Sequence, residues 1–97
     1  MKHAGAGTLT ALEPLLSKLR RQPGLIERTP GSFYLRSRAF LHFHEDVEGI
    51  FADIKLDGTE FTRVRVTTRE EQAELVSLVM QGVRRQGSQT RSPGSST

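Results

Sequence analysis

Hydrophobic and polar residues alternate along three consecutive segments between Ala39 and Val66. Successive side chains of a β-strand point to opposite faces of its sheet, so this alternation predicts strands with one buried and one open face. Two shorter segments, Leu25–Arg28 and Phe33–Leu35, predict further strands ahead of them. We therefore expect an antiparallel meander of four to five strands.

Apolar residues at helical spacing predict one helix before the meander and one after it. The first helix is expected to begin at Thr10 and the second at Thr68, because a glutamate follows each threonine three residues later in the capping-box pattern. The two apolar stripes consist of Leu12, Leu15, Leu16 and Leu19, and of Leu75, Val76, Val79 and Val83. Both stripes need a partner, and the aliphatic sheet face is the largest one available. The predicted fold is α+β, with an N-terminal and a C-terminal helix packed on one face of the antiparallel meander.

The chain of 97 residues is long enough for one domain, which we place at residues 9–87. Residues 1–8 and 88–97 are small and polar, and this composition predicts disordered tails. Cysteine is absent, which excludes disulfides and thiolate metal sites. No apolar run approaches the length of about 18–20 residues that a membrane span needs, and the first residues lack the apolar stretch of a signal peptide. We therefore expect a cytoplasmic protein without a membrane partner.

The isoelectric point near 10.0 is typical of proteins that bind nucleic acids. Residues 9–87, however, contain 12 basic and 11 acidic residues, so most of the net charge of +3 lies outside the predicted domain. The charge of the domain gives only weak support for binding to phosphates.

Core residues must lie opposite core residues in the predicted hairpins, because a slip of one residue would turn every side chain over. This condition pairs His42 with Asp53 and Asp53 with Arg63, so the three residues form a row across three strands. If Asp53 accepts hydrogen bonds from both neighbours, the pKa of Asp53 falls and the pKa of His42 rises. A β-bulge in either hairpin would break the row.

The open face predicted by the alternation is unusual because it combines rings and charges. Aromatic and arginine side chains are enriched at protein interfaces, so we interpret the face as a non-enzymatic protein-interaction or homodimerisation surface. The alternative is a single-stranded nucleic-acid-binding module, in which rings stack on bases and cations reach phosphates. A solvated face held by cross-strand ion pairs is the purely structural explanation. The predicted face consists of Tyr34, Phe40, His42, His44, Phe51, Asp53, Lys55, Phe61, Arg63 and Arg65.

A second alternative for the same face is a metal or small-ligand site. His42 and His44 are separated by one residue and share a strand face, so both rings could reach one ion, with Asp53 as third ligand. Arg63 opposes this hypothesis, since it competes for Asp53 and repels a cation. An enzyme is not expected, because no nucleophile stands beside the histidines and no glycine-rich phosphate loop follows a strand. No cofactor is expected either.

Overall fold

The computed structural model describes the backbone of residues 2–95 and the side chains of residues 2–86. Within residues 2–95, three helices and six strands follow one another. Their bounds are β1 Lys2–His3, α1 Ala6–Ala11, α2 Glu13–Arg20, β2 Leu25–Thr29, β3 Ser32–Leu35, β4 Arg38–Asp46, β5 Gly49–Ile54, β6 Thr62–Arg65 and α3 Arg69–Ser95.

The six strands form one antiparallel sheet, and five of them lie in the order β2-β3-β4-β5-β6. This order is a meander, so the predicted α+β fold is confirmed. The remaining strand, β1, pairs with β4. Because β4 has nine residues, it pairs with β3 along its first part and with β1 near its end, while β5 covers its other side. The start of the chain is thus joined to the centre of the sheet.

The capping-box pattern is confirmed at α3 and wrong at the first predicted helix. Thr68 Oγ1 accepts a hydrogen bond from Glu71 N at 3.1 Å, and the Glu71 carboxylate accepts one from Thr68 N at 3.0 Å. Thr10 instead lies inside α1, where its hydroxyl donates to the Ala6 carbonyl. The helix before the meander begins earlier than Thr10 and is divided at Leu12, after which α2 starts with Pro14 in its first turn.

The core lies between the helices α2 and α3 and one face of the sheet. Most residues predicted to be buried are buried, while Ile50, Val64 and Val76 are partly buried at its edge. Four residues beyond the predicted apolar stripes and central strands also enter the core. These are Leu25, Phe33, Leu35 and Phe40.

The assignment of Phe40 to the open face is wrong, because β4 contains a β-bulge. Tyr34 pairs with Ala39 and Phe33 pairs with Leu41, so Phe40 is an extra residue on its strand. The bulge lets two consecutive side chains, Phe40 and Leu41, point into the core, each with 1% exposure. Beyond the bulge the predicted alternation resumes, and His42 and His44 lie on the open face.

The structure has regular secondary structure in both segments for which composition predicts disorder. Residues 2–8 contain β1 and the start of α1, because the backbone of β1 finds partners on β4. At the other end, α3 continues to Ser95, since extending an existing helix adds hydrogen bonds without a new nucleation step. Residues 1, 96 and 97 of the predicted tails lie outside the described residues. Despite the length of α3, no helix within residues 2–95 is long and apolar enough to cross a membrane.

One ion pair joins α2 to the sheet and makes stability depend on pH. Arg20 donates two hydrogen bonds to the Glu27 carboxylate, at 2.5 and 3.1 Å, and Gly31 N donates a third at 2.8 Å. The bonds from Arg20 are the main cause that lowers the pKa of Glu27 below its ordinary value of 4.5. The stabilisation by the Arg20–Glu27 pair is complete at a pH above the ordinary glutamate pKa of 4.5. It is lost as the pH falls through the lower pKa that Glu27 has in the folded state.

We expect Glu27→Gln to lower the free energy of unfolding by about 1 kcal/mol at pH 7, because charge-assisted hydrogen bonds are weakened. The difference from wild type should shrink as the pH falls below the ordinary glutamate pKa. Urea unfolding between pH 7 and pH 3 measures it. Glu74→Gln, at an exposed position of α3, is the control and should change little. A difference that stays constant over this pH range would contradict the role of Glu27 as an ionised acceptor.

Candidate metal centre on the open sheet face

The predicted row across the sheet is confirmed by the strand register. His42 pairs with Asp53 between β4 and β5, and Asp53 pairs with Arg63 between β5 and β6. Arg63 donates two parallel hydrogen bonds to Asp53, Nε to Oδ1 at 2.7 Å and Nη2 to Oδ2 at 2.8 Å. These bonds are the main cause of the lowered pKa of Asp53, as predicted. Among the described side chains, Asp53 is the one charged group that is buried, with 8% exposure.

The histidine beside the Asp53 carboxylate is His44 and not His42. His44 Nε2 lies 3.1 Å from Asp53 Oδ2, although the contact lacks the geometry of a hydrogen bond. His44 and Asp53 are diagonal neighbours on adjacent strands, and long side chains can reach each other across such a diagonal. This explains why His44 rather than His42 lies beside Asp53. The Asp53 carboxylate therefore does not accept the hydrogen bond expected from His42.

The prediction of a raised pKa for His42 is wrong. Burial is the main cause that lowers the pKa of His42, followed by the nearby His44, and the opposing effect of Asp53 is smaller. Burial removes the water that would solvate an imidazolium ion and so favours the neutral ring. Neutral imidazole is the form that binds metal ions.

The third histidine of the chain joins this pair. Strand β1 places His3 directly opposite His44 in the register of the sheet. The His3 and His44 rings stack with their centroids 4.9 Å apart, and the His42 ring meets His44 edge-on at 4.8 Å. One ring nitrogen from each of His3, His42 and His44 lies within 4.8 Å of the other two. We call these residues the three-histidine cluster.

Two nitrogens of the cluster are buried without a hydrogen-bond partner among the described residues. These atoms are His42 Nδ1 and His44 Nε2. Buried polar atoms are nearly always hydrogen-bonded. His44 Nε2 has the Asp53 carboxylate as a close neighbour at 3.1 Å, so His42 Nδ1 is the atom that most clearly lacks a partner. A metal ion is such a partner for a ring nitrogen. Zn–N bonds of about 2.0–2.1 Å require the three donors to approach one another from their present separations of up to 4.8 Å.

The sequence suggested that the positive charge of Arg63 would repel a metal ion. In the structure this repulsion is reduced. The Arg63 guanidinium is paired bidentately with Asp53, so part of its positive charge is compensated. Asp53 has its predicted position next to the pair of histidines on β4. Its Oδ2 lies 3.1 Å from His44 Nε2, whereas the ring nitrogens that lie close together belong to His3, His42 and His44.

The aromatic residues of the predicted face are more enclosed than expected. Phe61 remains 40% exposed, but its ring packs edge-on against His42 at 4.8 Å and lies under Lys55 Nζ at 4.7 Å. Tyr34 is half-buried beneath the Arg28 guanidinium, and Phe51 is half-buried on β5. With Phe40 in the core, the face presents fewer rings to a partner than the sequence predicts.

The basic residues of the face also have partners within the chain. Arg63 binds Asp53, Lys55 lies over Phe61, and Arg65 donates to the Glu71 carboxylate at 3.0 Å and to the Glu48 carbonyl at 3.3 Å. Cations that are paired internally lose part of their attraction for phosphates. The pairing therefore weakens the case for nucleic acid.

Comparison of the chain with models of protein families, with curated proteins and with solved structures found no match. The functional argument consequently depends on the geometry of the chain itself. His3 is the residue of the cluster that the sequence interpretation missed, because it stands in a segment whose composition predicts disorder. The one signal in the sequence was the number of histidines, since a third ring was available in addition to His42 and His44.

Proposed function

We propose that the protein binds a divalent transition-metal ion of the zinc type through His3, His42 and His44. The observation that carries the proposal is the convergence of all three histidines of the chain, from two strands distant in sequence, on one point of the open face. Imidazole nitrogens are preferred ligands of zinc and of its neighbours in the transition series.

The surroundings of the cluster support the same conclusion. The two β4 histidines are half-buried, Phe61 covers one side of His42, and Asp53 stands next to His44. A set of three protein ligands leaves the fourth position of a tetrahedral ion to water or to another ligand. His3 is exposed, so this position would be accessible from solvent.

Zinc titration against a competing chromophoric chelator tests the proposal, with imidazole NMR signals as a second readout. We expect one ion per chain, with perturbation of the signals of all three histidines. His3→Ala, His42→Ala and His44→Ala should each weaken zinc binding by more than the factor of about 10–100 that loss of an outer-sphere residue costs.

The controls for this titration distinguish zinc binding at the three-histidine cluster from nonspecific zinc binding to acidic side chains. Glu48→Gln removes a carboxylate from the acidic β4–β5 turn and should leave zinc binding unchanged. His3→Ala is the decisive variant, because an exposed residue of β1 can be replaced without loss of the core. Equal zinc binding by wild type and His3→Ala, or no binding by wild type, would disprove the three-histidine site.

Self-association through the open face is a second candidate function. Ile26 is 61% exposed and pairs with Tyr34, so it lies on the same face as Phe61, which is 40% exposed. Apolar side chains exposed on one face support an interface between two copies or with another protein. Light scattering over a range of concentrations, with and without zinc, tests it. Association that Ile26→Ser and Phe61→Ser abolish would support this candidate, while a monomer under all conditions would exclude self-association.

A further inference from the structure

The three-histidine cluster connects two parts of the chain that are held with unequal strength. His42 and His44 belong to β4, which has nine residues and is paired on both sides. His3 belongs to β1, which has two residues and pairs with β4 alone. An ion bound to all three would join residues 2–11, which we call the N-terminal segment, to the centre of the sheet.

The N-terminal segment has few attachments of its own. Its backbone bonds include Ala4 N to the Phe43 carbonyl at 3.1 Å, beside the β1 pairing. Helix α1 has six residues, all described, and none of them is buried. Helices this short are unstable in isolation, so α1 depends on contacts with the rest of the chain. Ala4 and Leu9 pack against the edge of the core, and a depression of about 290 Å³ lies between His3, Leu9, Phe43 and the β2–β3 turn.

One side chain, Glu45, provides most of the polar attachment of the segment. Its Oε1 accepts a hydrogen bond from Gly5 N at 3.0 Å, and its Oε2 lies 3.7 Å from Lys2 Nζ. Interaction with the Thr8 hydroxyl is the main cause that lowers the pKa of Glu45. Glu45 neighbours His44 in sequence but leaves β4 on the other face, so it is outside the cluster.

We infer that zinc binding and docking of the N-terminal segment are one coupled equilibrium, in which the ion acts as a clasp between β1 and β4. The inference rests on the proposed zinc site. A segment with few buried contacts opens locally at low free-energy cost, and each opening removes His3 from the cluster. A ligand that binds the docked state better shifts the population toward it, and docking increases the affinity for the ligand by the same factor.

Hydrogen exchange measured by mass spectrometry tests the coupling in samples with zinc or with chelator, and zinc occupancy is determined in the same samples. With zinc bound, we expect exchange of amides in residues 4–12 to slow by about tenfold or more, because opening must now break a ligand bond. Residues 41–54, in the centre of the sheet, should change much less. In His3→Ala at a zinc concentration that saturates the remaining histidines, the protection of residues 4–12 should disappear.

Glu45→Gln tests the reciprocal effect without changing a ligand. It weakens docking, so a smaller fraction of the protein is competent to bind, and the apparent zinc affinity should fall about three- to tenfold. The zinc-induced protection of residues 4–12 should become larger than in wild type. Glu48→Gln, three residues away on the turn, is the matched control and should behave as wild type.

The outcomes distinguish the inference from the proposed function. If one zinc ion binds per chain but residues 4–12 exchange equally with and without it, the clasp is disproved while the zinc site stands. The same holds if Glu45→Gln and Glu48→Gln bind zinc equally well. If wild type binds no zinc, the proposed function fails and the clasp fails with it.

Discussion

Phe40→Ala should lower the free energy of unfolding by about 3–5 kcal/mol, the range found when a fully buried aromatic ring is truncated in a core. The ring is 1% exposed. It packs on the backbone of α3 at Gly82, where an added Cβ would lie 3.0 Å from Phe40 Cζ. Strict alternation would instead put Phe40 on the open face, where its loss would cost little. The variant therefore tests the β-bulge directly.

Phe61→Ala is the matched control, because Phe61 is 40% exposed and lies on the open face. Its expected cost is below about 1 kcal/mol, since a truncation outside the core leaves no closed cavity. Urea unfolding of both variants gives the comparison. The free energy of unfolding of a small domain is about 5–15 kcal/mol, so Phe40→Ala could leave part of the protein unfolded. In that case Phe40→Leu provides a milder variant. Small and equal losses for Phe40→Ala and Phe61→Ala would contradict the bulge.

Asp53→Ala should lower the free energy of unfolding by about 1.5–3 kcal/mol, the range for hydrogen bonds that involve a charged group. The variant removes the acceptor of two hydrogen bonds from Arg63 and takes away the negative charge beside His44. Asp53→Asn should lose most of the same amount, because a neutral amide is a poorer acceptor for the guanidinium. Urea unfolding at neutral pH measures both variants.

Glu60→Ala provides the comparison for Asp53, since Glu60 is an exposed acidic residue in the β5–β6 loop. Its effect should stay within about 0.5 kcal/mol, as for most surface substitutions. If Asp53→Ala and Glu60→Ala had equal effects, the Asp53–Arg63 pair would contribute no more than an ordinary solvated charge. The row of His42, Asp53 and Arg63 would then have no role in stabilising the sheet.

The register of the central strands could be predicted from the sequence because it follows from a local rule. Core residues alternate with the others along β5 and β6, so one arrangement buries Ala52, Ile54 and Val64 together, and it places Asp53 beside Arg63. The period of two is strict in these strands, and a slip would expose the whole apolar set. The row of His42, Asp53 and Arg63 could therefore be predicted from the sequence alone.

The bulge and the position of His3 could not be predicted by the same rule. Phe40 and Leu41 are adjacent apolar residues, and alternation assigns one of them to each face, whereas a bulge admits both to the core. His3 reaches the site through pairing with a strand about 40 residues away, as the bond from Gly5 to Glu45 illustrates. Local patterns contain no information on such a pairing, particularly when the strand has two residues. The metal hypothesis from the sequence named His42, His44 and Asp53, and for this reason it did not include His3.

The sheet order also has a consequence for how the chain folds. Strands β2 to β6 pair only with sequence neighbours along the meander, and such local contacts form rapidly, because only short loops need to close. The pairing of β1 with β4 is the exception, since it closes a loop of about 40 residues at a higher entropic cost. We expect the meander to assemble first and β1 to attach to it late. The cluster that contains His3 would then be completed only on chains whose central sheet has already formed.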